Sequence, residues 1–122
     1  MKDIVFIPVI DLGNGRSSKY DRCIDSWKRW CDKNDCELWI WEDLLVPVEQ
    51  MRITWQRYHV FDILDANDVK YNQVLMADAD TIIHPKCPNF FNETEGKYAA
   101  VLNDGCYEWV NRSIGAYHTY FF

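Results

Sequence analysis

No stretch of this chain approaches the roughly 18–20 consecutive apolar residues that a membrane-spanning helix needs, and no Lys/Arg cluster forms a nucleic-acid footprint. Thirteen Lys and Arg stand against nineteen Asp and Glu, a formal charge of −6 over 122 residues, so DNA and RNA are excluded as expected partners. No Cys-x-x-Cys pair is present, which argues against a zinc or dithiol motif. The five cysteines are an odd number (Cys23, Cys31, Cys36, Cys87, Cys106). Five glycines and four prolines leave no low-complexity segment, and no internal repeat is visible. Residues 1–10 carry no long apolar core followed by a small-residue cleavage site, so they read as a first strand rather than a signal peptide. Without a targeting segment, the expectation is reduced thiols in a cytoplasmic protein. On the same ground the sequons Asn92-Glu93-Thr94 and Asn111-Arg112-Ser113 carry no weight.

Large rings are abundant, with six Trp and seven Tyr. They suit either a core filled with aromatics or a surface on which sugar rings stack. The length predicts a single domain over residues 1–122. After Asp3, the residues to Ile10 form a continuous apolar run, so 3–10 reads as a strand buried on both faces, and residues 11–18 read as a Gly-rich loop. Tyr20, Cys23, Ile24, Trp27, Trp30 and Cys31 recur at helical steps and predict an amphipathic helix. Residues 37–41 predict a second strand. A connector around Pro47 and a second helix over 55–66 follow, the helix with Arg57, Val60, Phe61 and Leu64 in step.

Residues 73–77 predict a third strand, 89–91 a short helical turn packing its Phe residues inward, 98–102 a fourth strand, and 103–105 its turn. A last helix is expected from about Trp109 to the end. Strands separated by helices argue for an α/β fold with a Rossmann-like, mainly parallel sheet, right-handed crossovers and flanking helices.

The third strand leads into Asp78-Ala79-Asp80-Thr81. On an extended segment, side chains two apart point the same way, so Asp78 and Asp80 are expected to present two carboxylates together where the strand ends. Hard oxygen ligands at that edge suit a divalent cation carrying phosphates, and in open α/β sheets that edge is where ligands bind. An isolated Asp-x-Asp is weak, since it also serves turns and helix caps. Here it follows an apolar strand and precedes Ile82, Ile83, a Pro-bearing turn and Phe90-Phe91. Taken as one pattern, residues 73–91 resemble the metal-binding segment of glycosyltransferases with the nucleotide-sugar-binding GT-A fold, and the Asp-x-Asp itself most resembles glycogenin-like members. The resemblance covers roughly residues 1–104.

That resemblance implies a site. Asp80 would bind a manganese or magnesium ion bridging a donor diphosphate, and Asp78 would bind the ion or the ribose. The end of the first strand, Pro8, Val9, Ile10 and Asp11, would line the nucleoside pocket by position. A basic residue on the helix before the motif often reaches the donor in such enzymes, which points to Arg57. About five extra residues separate that helix from the aspartates here. Each assignment has a plainer alternative: a cap or turn for the aspartates, and a surface pair with Asp62 or another acid for Arg57. His84 is a possible third ligand or a solvated turn residue, Trp55 a stacking platform or a core residue, and Asp43 a nucleoside contact or an exposed loop acid.

The implied activity is metal-dependent transfer of a sugar from a UDP- or GDP-linked donor to a hydroxyl acceptor. Family members usually continue well past the fourth strand into an acceptor-binding half, with a further His or Asp ligand and, in inverting enzymes, a carboxylate base. This sequence ends at Tyr120-Phe121-Phe122, and His118 is its only late His. The expectation is a truncated or minimal glycosyltransferase, with self-association covering apolar residues of the last helix. A non-catalytic nucleotide-sugar or metal-binding module is the alternative. A haloacid-dehalogenase-like phosphatase is a poorer fit, because two strands precede the motif and Ile82 stands where those enzymes place Thr or Val.

Overall fold

The run read as a first strand forms β1 (Lys2–Pro8). Its Ile4, Val5, Phe6 and Ile7 are wholly inaccessible to solvent, as a central parallel strand covered on both faces requires. The computed structural model describes residues 1–10, 15–94, 96–100 and 107–121. Within them β1 pairs in parallel with β2 (Glu37–Trp41) on one side and β3 (Tyr71–Met76) on the other, giving the order β2-β1-β3. A three-stranded parallel sheet with flanking helices is the Rossmann-like α/β arrangement expected. The register of β3 slips between Lys2 and Ile4. There the Asp3 carboxylate accepts from the Asn72 side chain (2.9 Å) and the Gln73 amide (3.2 Å), satisfying the backbone that the irregularity frees.

Alternation along β1 divides the core in two. Val5, Ile7 and Val9 pack with Trp27, Trp30 and Cys31 of α1 (Asp21–Lys33) and with Ile83 and Phe91. Ile4 and Phe6 face the opposite way, onto Val60, Ile63 and Leu64 of α3 (Val60–Ala66). The apolar stripe expected on α1 is present, preceded by a 3-10 turn over Arg16–Tyr20. The second helix is not continuous. It comprises α2 (Ile53–Gln56), a 3-10 turn over Arg57–His59, and α3. Ile63 is buried, whereas Phe61 is half exposed and rests its ring against Tyr71 at 5.7 Å. The buried face of α3 runs through positions 60, 63 and 64, so Val60 and Leu64 of the residues read in helical step are buried and Phe61 lies at its margin.

Both crossover helices stop by one device. Asn34 and Asn67 cap α1 and α3, and each side-chain amide donates to the carbonyl four residues back, both at 2.8 Å. Asp35 and Asp68 follow with φ of 53°. Cys36 and Val69 then return their amides to Cys31 (2.9 Å) and Leu64 (3.0 Å), the six-to-one bond of a Schellman ending. A left-handed conformation that Gly adopts freely is here held by Asp, which tolerates it through its short polar side chain. Burial, followed by the neighbouring Cys36 and Asp32, pushes the Cys31 thiol up to about 12. Burial, followed by Asp3 and Asp35, also raises that of Cys36. Both act as small apolar core residues.

Beyond β3 come α4 (Phe90–Glu93), with Phe91 buried and its N-terminus capped by the Asn89 side chain (3.0 Å), and α5 (Tyr107–Phe121). The expected fourth strand is absent at Tyr98, Ala99 and Ala100, which are exposed and unpaired in any ladder. Its remaining residues, the 103–105 turn, Asp11 and Cys106 lie outside the described residues.

Asp68→Val is expected to lower unfolding stability by about 1–2 kcal/mol, the cost of a branched residue at φ above zero. Asp68→Gly is expected to hold or slightly raise it. Denaturant titration of the two variants beside the parent protein checks the contrast.

Candidate functional site

The chain leaves the C-terminal edge of the sheet at three places. Pro8, Val9 and Ile10 continue β1, with the Val9 amide bonded to the Trp41 carbonyl at 2.7 Å. Val9 and Ile10 are buried and make an apolar floor. After β2 the chain crosses a loop and enters α2, and after β3 it reaches the aspartates. Between these exits lies a cleft of about 250 Å³ whose lining includes Pro8, Val9, Ile10, Arg57, Asp78 and Asp80. Tyr20, Ile53, Thr54 and Ala79 are the other described residues that line it. Its size is below the roughly 300–1,000 Å³ of a full ligand pocket.

The aspartates reach the cleft by a different route from the one the sequence implied. β3 ends at Met76, and the Ala77 amide adds one further bond to the Phe6 carbonyl (3.0 Å). Residues 78–81 then form a turn closed by the Thr81 amide on the Asp78 carbonyl at 3.2 Å. The Thr81 hydroxyl donates to the same carbonyl at 2.6 Å and accepts from the Trp27 indole at 3.1 Å. The two-residue alternation of an extended strand is thus corrected: a side-chain-braced turn brings both carboxylates to one cleft.

Arg57 bridges two walls. Its Nη1 donates to Asp78 Oδ1, and its Nε donates to the Thr54 carbonyl at 2.9 Å. Arg57 is about a quarter exposed and Asp78 about half, so the pair contributes about 0–1 kcal/mol of stability. The surface partner considered from sequence, Asp62, pairs instead with His59 at 3.1 Å.

Two positioning groups carry no signal in the sequence. Gln56 is buried, and its side chain satisfies the connector that follows β2. Its Oε1 accepts from the amides of Leu45 (2.9 Å) and Val46 (3.4 Å), and its Nε2 donates to the carbonyls of Val46 (3.0 Å) and Met51 (2.9 Å). The connector is thereby fixed to the helical turn that bears Arg57. Ser26, also buried, accepts from the Ile83 amide at 3.1 Å and so fixes the chain just past the aspartates. Helical periodicity marks neither residue, because each is polar on a buried face.

Other expected residues stay outside. His84 is exposed, and its Nδ1 accepts from the Lys86 amide at 3.0 Å. Trp55 is 52% exposed, with its ring 6.0 Å from that of Tyr58, so the core role considered for it is corrected. Asp43 is an exposed loop acid. None of the three lines the cleft. Among the described residues no group of three or more His, Cys, Asp or Glu converges on a metal position. Two carboxylates fit an ion whose remaining ligands are phosphates and water, as magnesium commonly is. They do not suffice for a cage that holds a bare ion.

Gln56→Leu keeps the volume but strands the backbone groups of the connector. It should lower stability by about 1–3 kcal/mol and speed amide exchange at Leu45 and Val46, measured by hydrogen exchange. Unchanged exchange there would remove its positioning role. No protein-family model, no curated protein and no solved structure matches this chain.

Proposed function

We propose that this chain binds a nucleoside-diphosphate sugar through a divalent cation, as the donor-binding part of a metal-dependent glycosyltransferase of the GT-A type. One observation carries the reading. Residues from three separate segments, singled out by their pattern and by the resemblance of residues 73–91, line a single cleft at the C-terminal edge of a parallel sheet. That edge is where α/β folds take nucleotides.

In this reading, the apolar wall of Pro8, Val9 and Ile10 packs against the nucleoside, and Asp80 and Asp78 supply oxygen ligands to manganese or magnesium. Arg57 faces the diphosphate. A bound ion would offset charge on the departing nucleoside diphosphate. The residues' own contribution is to orient the donor and keep the carboxylates fixed.

A second reading is a nucleotide-sugar-binding module without turnover, and the base that an inverting transfer alone requires is the point on which to compare it with the cleft. Its ionisable lining residues are Tyr20, Arg57, Asp78 and Asp80, and both carboxylates are already committed to donor binding. No further carboxylate or imidazole among the described lining residues is left to act as base.

Calorimetric titration of UDP and of GDP, with manganese and again with a chelator, tests the proposal. Manganese-dependent binding of one nucleotide is expected, and Asp80→Ala should lower that affinity at least tenfold with the circular dichroism spectrum unchanged. Equal binding with and without metal, or an unchanged affinity in Asp80→Ala, would contradict it. Release of free sugar or transfer from a sugar nucleotide distinguishes the enzyme from the binding module.

A further inference from the structure

We infer that Arg57 is an internal counter-ion that makes the cleft select a metal–nucleotide complex over the free metal, by occupying Asp78 until a diphosphate draws it away. The inference rests on the donor-site reading above. Asp78 Oδ1 already accepts from Arg57 Nη1, and among the described residues Asp78 and Asp80 are the carboxylates lining the cleft. A divalent cation arriving alone must share or displace that guanidinium, and the two positive charges repel at this range. Two carboxylates, one of them engaged, make a poor site for a bare ion.

A diphosphate reverses the sign. It brings negative charge beside the ion, so Arg57 changes from a competitor to a ligand of the incoming group, for which its planar fork is suited. The stem need not travel far, because Nε is held on the Thr54 carbonyl and Thr54 itself lines the cleft. Only the terminal guanidinium nitrogens change partner. Metal and nucleotide then favour each other's binding, and by linkage the effect is the same in either order. On a chain of formal charge −6, which gathers divalent cations at its surface without specificity, the guanidinium keeps the carboxylate from being spent on a free ion.

The test is manganese uptake, followed by loss of the free-ion signal in electron paramagnetic resonance, without nucleotide and with UDP or GDP. It compares the parent protein with Arg57→Gln, and with Arg57→Met, which keeps the apolar stem if the first variant folds poorly. Both variants are expected to bind free manganese about two- to fivefold more tightly, the range a partly exposed ion pair commands. Both are also expected to lose most of the affinity gain that nucleotide brings to the parent. Unchanged or weaker free-manganese binding in folded variants, while the parent still gains affinity with nucleotide, would overturn the role of Arg57 and leave the donor site standing. A parent that gains no manganese affinity from either nucleotide would overturn both.

Discussion

Four side chains of α1 hold the segment that carries the aspartates, and the geometry of the cleft depends on that clasp. From Asp78 to Pro88 the chain has no ladder and no helix to satisfy its backbone, and its two prolines rule out a regular helix there. α1 supplies the partners instead. Trp27 donates to the Thr81 hydroxyl, Ser26 accepts from the Ile83 amide, Lys33 donates to the Pro85 carbonyl at 3.0 Å, and Trp30 donates to the Cys87 carbonyl at 3.0 Å. Each bond contributes about 0.5–1.5 kcal/mol net. The buried one at Ile83 matters more when lost, because its amide would have no water to turn to.

Packing and polarity cooperate in the clasp. Trp30 stacks on Phe90 with ring centroids 5.3 Å apart and meets Trp27 edge-on at 5.9 Å, so one indole fills the core, anchors α4 and holds Cys87. On the other side of the cleft Gln56 performs the same task for the connector after β2. The cleft therefore has a floor set by β1, one wall from the helical segment bearing Ile53, Thr54 and Arg57, which Gln56 ties to the connector behind it, and one irregular wall at 78–80 in the segment held by α1. Binding groups held this way need little ordering when a ligand arrives.

Much of this was legible in the sequence where periodicity or continuity carries the signal. The buried run of β1, the stripe of α1 and the strand at 37–41 follow from apolar pattern alone, and so does the existence of β3, which begins two residues before the expected 73–77 and ends at Met76. The cleft residues Pro8, Val9, Ile10, Arg57, Asp78 and Asp80 follow from position at strand ends and from the resemblance. What was not legible depends on partners distant in sequence. Ser26 looks like a polar interruption until Ile83 is placed against it, and Gln56 looks like a surface residue until the connector folds over it. The turn at 78–81 stood in the sequence as the plainer alternative for the aspartates, because Ile82 and Ile83 extend a strand-like pattern; what braces it, the Thr81 hydroxyl held by Trp27, depends on a partner far back in the chain. At Tyr98 a strand was expected, but among the described residues no strand pairs with it.

The central claim is that the sheet edge between β1, the turn bearing Arg57 and the turn bearing Asp78 and Asp80 is one metal–nucleotide site. It is tested most directly by paramagnetic broadening of backbone amide resonances when manganese and UDP or GDP are added together. The account predicts selective loss of the signals of Val9, Ile10, Arg57 and residues 78–81, with the far end of α1 around Asn34 and Asp35 untouched. Broadening centred elsewhere, or spread evenly over the acidic surface, would contradict it.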